Sequence, residues 1–393
     1  MPSAPHSKQG GRIPLSYRAV IIYFVIAGLV LAMSFFSDLS LRLGSLRTVQ
    51  NQVFLQRRSR HWTPFDLLAV GVLVIFSAIR YEVGSDYGTY SSLYAALDPS
   101  RWRQQLTSSP QGVGYTGMSL IIKALWGPST GALFWITSIL TVVPIYVVIK
   151  RRSQRPTLSL LLYIFLAFYI DPFNIIREGI AASLTFFASN YINTSKRNFL
   201  LLNGLAAIIH KTAIVAATIQ IVFRRTRPSM RLLIVLALAG ALGAVVLLHS
   251  AAIASLVSTL NPRYGPYLRY STQTKVGAYI LTISRVVLIL YALNLRRRGA
   301  SNSETDRDLT YGIVGVMFLV LGTQAIIVAR MEMYFGLYLI LAIPNLLANR
   351  EARLREHDVE SALIRILLSA AGILYLSIYL NNYGGLIPYH ARA

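Results

Sequence analysis

Asp171-Pro-Phe-Asn-Ile-Ile-Arg-Glu178 interrupts an otherwise apolar region, with residues 156–170 before it and 179–192 after it. A charged side chain at the centre of a bilayer costs about 2.5–3.5 kcal/mol on insertion scales, so Asp171, Arg177 and Glu178 do not belong at mid-depth. Pro172 breaks the backbone where these charges appear. The stretch therefore reads as the junction of two membrane spans, at a membrane face or in a wet cavity. Other apolar runs along the chain end in similar small clusters of charged and aromatic residues.

The 393-residue chain is 54% hydrophobic and only 13% charged, where soluble domains carry about 25% charged residues. Apolar runs of about 20 residues recur along its whole length, and no polar stretch is long enough for a soluble domain. The expected fold class is all-α: a polytopic integral membrane protein, with a single transmembrane domain over 1–393. A net charge of +23 would point to nucleic acid in a soluble protein. Here the basic loops are retained on the cytoplasmic side, and no nucleic-acid partner is expected. The absence of cysteine excludes disulfides and thiol chemistry.

Spans are expected at 17–36, 64–79, 130–149, 156–170, 179–192, 232–257, 276–295, 309–329, 334–347 and 361–380. Residues 112–126 are too short to span comfortably and read as a re-entrant or interfacial helix. Residues 199–223 carry His210-Lys211 in the middle. They form either one span with a buried charge or two short helices turning at His210, and the second choice brings the total to about twelve. The positive-inside rule places 57–60, 150–155, 196–197, 224–231, 296–298 and 350–355 in the cytoplasm. Alternation then holds if His210 turns on the outer side. Both termini fall outside, with the basic N-terminal residues Lys8, Arg12 and Arg18 as the poor fit. The clusters at 80–90, 171–178, 210–211, 261–275, 330–332 and Tyr389 all face outward.

Those clusters hold Arg80, Arg177, Lys211, Arg263, Arg269, Lys275 and Arg330. Any one of them could be a snorkelling anchor. As a set on a face that should be poor in cations, they read as an anion site, because the guanidinium fork matches phosphate oxygens. The outward acids are Glu82, Asp86, Asp171, Glu178 and Glu332. Glu82, Glu178 and Glu332 lie near Arg80, Arg177 and Arg330 in sequence, and local pairing is expected for Glu178 and Glu332. Asp86 follows Gly84-Ser85 in a turn and is freer to act as a general base or to hold a sugar hydroxyl. His210 reads either as a satisfied core histidine or as an acid–base group suited to neutral pH. Tyr81, Tyr87, Tyr90, Tyr264, Tyr267 and Tyr270 form an interfacial aromatic belt or a sugar-stacking surface. No histidine pair at metal-ligand spacing, Walker motif or dinucleotide glycine motif is present, so no metal or cofactor is expected.

Five clusters in order resemble the EpsG family of bacterial exopolysaccharide polymerases, itself similar to the Wzy-type polymerases. They are Arg80-Tyr-Glu82-Val-Gly-Ser-Asp86-Tyr87 with Tyr90, Asn174-Ile-Ile-Arg177-Glu-Gly-Ile-Ala181, and Ile208-Ile-His210-Lys-Thr-Ala213. Arg330-Met-Glu-Met-Tyr334-Phe335 and Ile387-Pro-Tyr389 complete the series. The resemblance covers 64–389 and marks 64–393 as a polymerase-like core behind an N-terminal tail, span and basic loop at 1–63. Glu178 stands where the family usually has Gln, and Ile209 where it usually has an aromatic.

The resemblance implies polymerisation of undecaprenyl-diphosphate-linked oligosaccharide repeat units into an exopolysaccharide, capsule or O-antigen chain, at the outer face of the bacterial inner membrane. It implies Asp86 or His210 as the catalytic base, with Asp86 preferred because a loop residue can follow a mobile acceptor. It adds Asn174 and Tyr334 to the substrate-binding set of Arg80, Glu82, Tyr87, Tyr90, Arg177, Lys211, Arg263, Tyr264, Arg269 and Arg330. Arginines would take the place of a metal at the leaving diphosphate. Membrane lipids, a flippase and a chain-length regulator are the implied partners. A lipid-linked oligosaccharide flippase is the competing class, but it calls for deep charges and a pseudo-repeat, and neither is seen. Another polyprenyl-linked membrane glycosyltransferase or a ligase is the third reading.

Overall fold

The computed structural model describes residues 17–48, 61–249, 276–299, 301–323, 326–354 and 359–392. Among these residues the regular structure is entirely helical. In chain order the helices are α1 (Tyr17–Thr48), α2 (Pro64–Ala78), α3 (Tyr87–Ala95), α4 (Trp102–Ser108), α5 (Val113–Trp126) and α6 (Thr130–Arg152). They continue with α7 (Pro156–Phe165), α8 (Ile176–Ala188), α9 (Lys196–Ile209), α10 (Thr212–Phe223) and α11 (Met230–His249). The last six are α12 (Val276–Arg297), α13 (Ser303–Gly322), α14 (Ile326–Ala329), α15 (Glu332–Gly336), α16 (Leu339–Leu354) and α17 (Val359–Asn382).

Four helical stretches are long and apolar enough to cross a membrane: Ala19–Leu41, Thr130–Arg152, Ala278–Arg297 and Ala362–Asn382. Shorter apolar helices lie at Pro64–Ala78, Pro156–Phe165, Thr212–Phe223 and Met230–Val246. Twelve full-length spans are therefore not found among the described residues. The physical reason is that several expected spans are broken. Residues 199–223 form two helices around an extended His210 (φ −148°, ψ 118°). Each is about 20 Å long, against a hydrocarbon core of about 30 Å. The run from Arg330 to Leu347 is likewise divided between α15 and α16. Apolar side chains such as Leu201, Val222, Leu238, Ile283 and Ile366 are left exposed, as lipid-facing residues of a membrane protein are.

The core lies where α7 and the turn after it meet the 331–347 segment, both buried nearly throughout. Helices α1, α2, α6 and α8 pack around it in succession, and α11 lies along α13. One end of the bundle is latched by ion pairs. Thr63 and Asp66 cap α2 reciprocally, and the Asp66 carboxylate meets Lys150 Nζ at 2.9 Å. Ser37 and Tyr146 also donate to that carboxylate. At the α6–α7 turn Arg152 donates to both Asp308 oxygens at 2.5 and 2.6 Å. Glu351 there is shared by Arg155 and Arg365.

Candidate functional site

The opposite end of the bundle gathers the loops that follow α2, α7, α9, α14 and α17. Residues 79–85 are held by the C-terminal tail through backbone hydrogen bonds from Tyr81 to His390, Gly84 to Gly385, Ser85 to Gly384 and Arg392 to Ile79. Tyr389 stacks on Phe76 at 4.2 Å between centroids, and its hydroxyl donates to the Phe76 carbonyl. Asn174 Oδ1 accepts from Ser85 N and Oγ at 2.7 and 3.2 Å. Gly84 has φ +100°, and a Cβ there would lie 2.8 Å from Asn174 Oδ1, so the turn needs glycine both for conformation and for space. Asn174 is thus a clamp between three loops.

The charges of Arg177 and Arg330 both act on His210. The Arg177 guanidinium donates to the Gln111 carbonyl at 2.6 Å and lies against Tyr90, while its buried Nε has no partner. Half-buried Arg330 makes no hydrogen bond or ion pair with the described residues. His210, at the turn between α9 and α10, is pushed down to about 4 by burial and then by the charges of Arg177 and Arg330, so it is neutral at pH 7. Its Nδ1 lies 2.7 Å from Thr212 Oγ1, which is 2.9 Å from the Tyr334 hydroxyl. Tyr334 is fully buried. The chain of hydrogen bonds fixes the imidazole and leaves Nε2 as its remaining polar atom.

Carboxylates complete the cluster. Asp171 accepts from the Tyr379 hydroxyl at 2.7 Å, and burial raises it above the usual carboxylate range, opposed by that bond and by Arg330. Glu178 is buried, feels Arg330, Asp171 and Arg177, and has no hydrogen bond or ion pair among the described residues. The expected Glu178–Arg177 pair is therefore absent. Glu332 pairs with Arg285 at 2.8 Å, not with Arg330, which explains why Arg330 is free. Arg285 also donates to the Leu166 carbonyl and lies over the Phe168 ring at 4.7 Å. The sequence reading passed over Arg285, although a lone charge inside an apolar span was signal enough.

Several expectations are corrected by burial. Arg80 is 2% exposed. Its guanidinium is sandwiched between Phe134 and Phe173 at 4.7 and 4.5 Å and donates to Ser77, so it braces the loop and is closed to a substrate anion. Glu82 is exposed at φ +55° and unpaired with Arg80, which is buried out of reach. Tyr87 is buried, with its face stacked on Phe134 at 4.6 Å and its hydroxyl accepting from Arg392; no sugar can stack there. Tyr90 is buried against Tyr115. Asp86 is half-buried at the start of α3 without a capping bond, and Lys211 is exposed. Gly112–Trp126 is helical as α5, and Gly114 presses on the Ile208 backbone, which brings Gln111 to the site. Arg263, Tyr264, Tyr267, Arg269, Tyr270 and Lys275 lie outside the described residues.

The arrangement has two guanidiniums with no carboxylate partner among the described residues, beside a neutral imidazole, the buried Glu178 and the half-buried Asp171. That combination can hold a phosphate anion and manage a proton next to it. A family model described as EpsG family matches residues 65–391. No curated protein and no solved structure matches the chain.

Proposed function

The chain belongs to the EpsG family, and on that premise we propose that it polymerises undecaprenyl-diphosphate-linked oligosaccharide repeat units at the outer face of the bacterial inner membrane. The observation that carries this reading is that the charges of Arg177 and Arg330 both reach His210, while neither guanidinium has a carboxylate in ion-pair contact among the described residues. The ion-paired end, which bears the 150–155, 296–298 and 350–355 arginines, faces the cytoplasm by the positive-inside rule. The candidate site then faces outward, where a flippase would deliver the substrate and a chain-length regulator would act.

Chemistry follows from the residues. Arg177 and Arg330 hold the diphosphate of the growing chain, with Lys211 at the rim. A hydroxyl of the incoming unit attacks the anomeric carbon. The bond to the diphosphate oxygen breaks, and lipid diphosphate leaves with the electron pair, its charge stabilised by the two guanidiniums. The hydroxyl proton passes to Asp86 and then to solvent. His210 is the second candidate, but an imidazolium between two guanidiniums is electrostatically costly. His210 therefore serves better as a fixed hydrogen-bonding group held by Thr212 and Tyr334.

The test is purified protein in detergent with lipid-linked repeat units and a chelator present. Asp86→Asn is expected to lower elongation by about 10²–10⁴-fold, the usual worth of a general base, with single repeats accumulating. Near-normal turnover by Asp86→Asn beside a dead His210→Gln would transfer the base to His210. A strict requirement for a divalent metal would overturn the arginine mechanism, and wild-type chain length in both Arg177→Lys and Arg330→Gln would overturn the site.

A further inference from the structure

A second concave surface lies at the opposite end from the candidate site. It is an open basin of about 920 Å³ where the ends of α10 and α12 meet the start of α13, lined by Arg224, Arg225, Arg227, Arg296, Arg297 and Arg307 among others. Helices α10, α12 and α13 each run from the neighbourhood of the candidate site to this basin: His210 precedes α10, Arg285 sits within α12, and Arg330 follows α13 and α14. The basin is thus separated from the candidate site by the length of a short helix, about 18 Å.

Its acids do not neutralise it. Asp306 is already engaged by Arg296, through bonds of 2.6 and 2.9 Å, and by Ser301. Exposed Glu304 is the other acid on the wall. Arg224, Arg225, Arg227 and Arg297 make no hydrogen bond or ion pair with the described residues. Thr310 donates to the Thr226 carbonyl and holds the 224–227 loop onto α13. Arg307 is the decisive group: it is 4% exposed, yet its buried Nε has no hydrogen-bond partner. The nearest carboxylate, Asp308, is 3.9 Å away and committed to Arg152.

Retention of loops in the cytoplasm accounts for arginines in this region. It does not require them to converge on a concave wall, nor a buried guanidinium with an empty donor. Guanidinium forks arranged around a cavity of this size match a ligand that presents several phosphate oxygens at once. We propose that the basin is a second anion site, taking a ligand with a diphosphate or a comparably phosphate-rich group. The same chemistry is offered by a soluble polyphosphate ester and by an anionic lipid headgroup. The basin lies beside exposed Ile221 and Val222 on α10, within reach of both sources.

The test uses the full chain in neutral detergent, carrying Arg330→Gln so that the candidate site does not contribute. Inorganic pyrophosphate is titrated calorimetrically, and phosphatidylglycerol against phosphatidylcholine is scored by native mass spectrometry. One saturable equivalent is expected in at least one arm, and the arm identifies the source. Arg307→Gln and the exposed pair Arg224→Gln/Arg227→Gln should each weaken binding by about 10–100-fold, the loss of one or more charge-assisted bonds. Should Arg307→Gln fail to fold, the exposed pair decides. No saturable binding in either arm, or unchanged binding by the exposed pair, would falsify the second site.

Discussion

At the end of the bundle formed by the start of α2 and the α6–α7 turn, Lys150, Arg152 and Arg155 each meet a carboxylate at ion-pair distance. At the other end Arg177 and Arg330 meet none, although Asp171 and Glu178 lie close enough for their charges to be felt. The difference is one of geometry. Asp66 and Asp308 are aimed at their cations by a capping box and by the second turn of α13. Asp171 is turned to Tyr379, and Glu332 is drawn to Arg285. Paired buried charges hold helices in place; the unpaired ones are available for a ligand.

The comparison breaks first at the paired end. Asp66→Ala leaves Lys150 buried without its carboxylate, an uncompensated charge that costs about 3–5 kcal/mol. A large fall in melting temperature is expected, with elongation per folded molecule unchanged; a thermal shift series with activity normalised to folded protein measures both. Equal stability to wild type would mean the latch is not structural.

At the unpaired end the sign of the effect reverses. Arg330→Gln removes a cation whose side chain makes no hydrogen bond or ion pair among the described residues, so folding should be little affected. Turnover should fall by about 10²–10³-fold, the scale of removing one donor from a developing oxyanion. A fall in melting temperature like that of Asp66→Ala would show that Arg330 is structural after all.

His210 sharpens the contrast through pH. Its folded value of about 4 lies below the unfolded value of about 6.5, so between these values the unfolded chain binds more protons. Stability should therefore be level above about pH 6.5 and decline as pH falls toward 4. His210→Gln should lose that part of the decline, as read from melting temperatures across the range. An unchanged profile would mean that the imidazole is not held neutral by burial and its two arginines.

Tyr334→Phe should have the smallest effect. It removes the hydroxyl that positions Thr212 and through it His210. A loss of about 0.5–1.5 kcal/mol is the usual worth of one such bond. It should show in turnover more than in substrate affinity, and steady-state kinetics separates the two.

Much of the site was legible in the chain. Asn174, Arg177, His210, Arg330 and Tyr334 stand at the ends or in the middle of apolar runs, where a charge or a break needs a reason, and the turn at His210 was one of two readings that the sequence left open for 199–223. What misled were the partners. Arg80 looks like Arg177 in sequence, since each closes or opens an apolar run. Nothing local says that Phe134 and Phe173 close over the one and leave the other beside Tyr90. Arg285 was lost because hydropathy averages a window, and one guanidinium among leucines and valines barely moves the average.

Composition and the spacing of apolar runs are properties of neighbouring residues, and they suffice for an all-helical membrane protein whose charged clusters fall between helices. Family membership rests on the same order of short motifs. Charge pairing is a property of distance in space. Arg152 finds Asp308 across 156 positions of chain, and Glu332 finds Arg285 across 47 in place of Arg330 two positions before it. Backbone direction and helix packing aim those side chains, so only the tertiary structure decided which arginines brace the fold and which stand free.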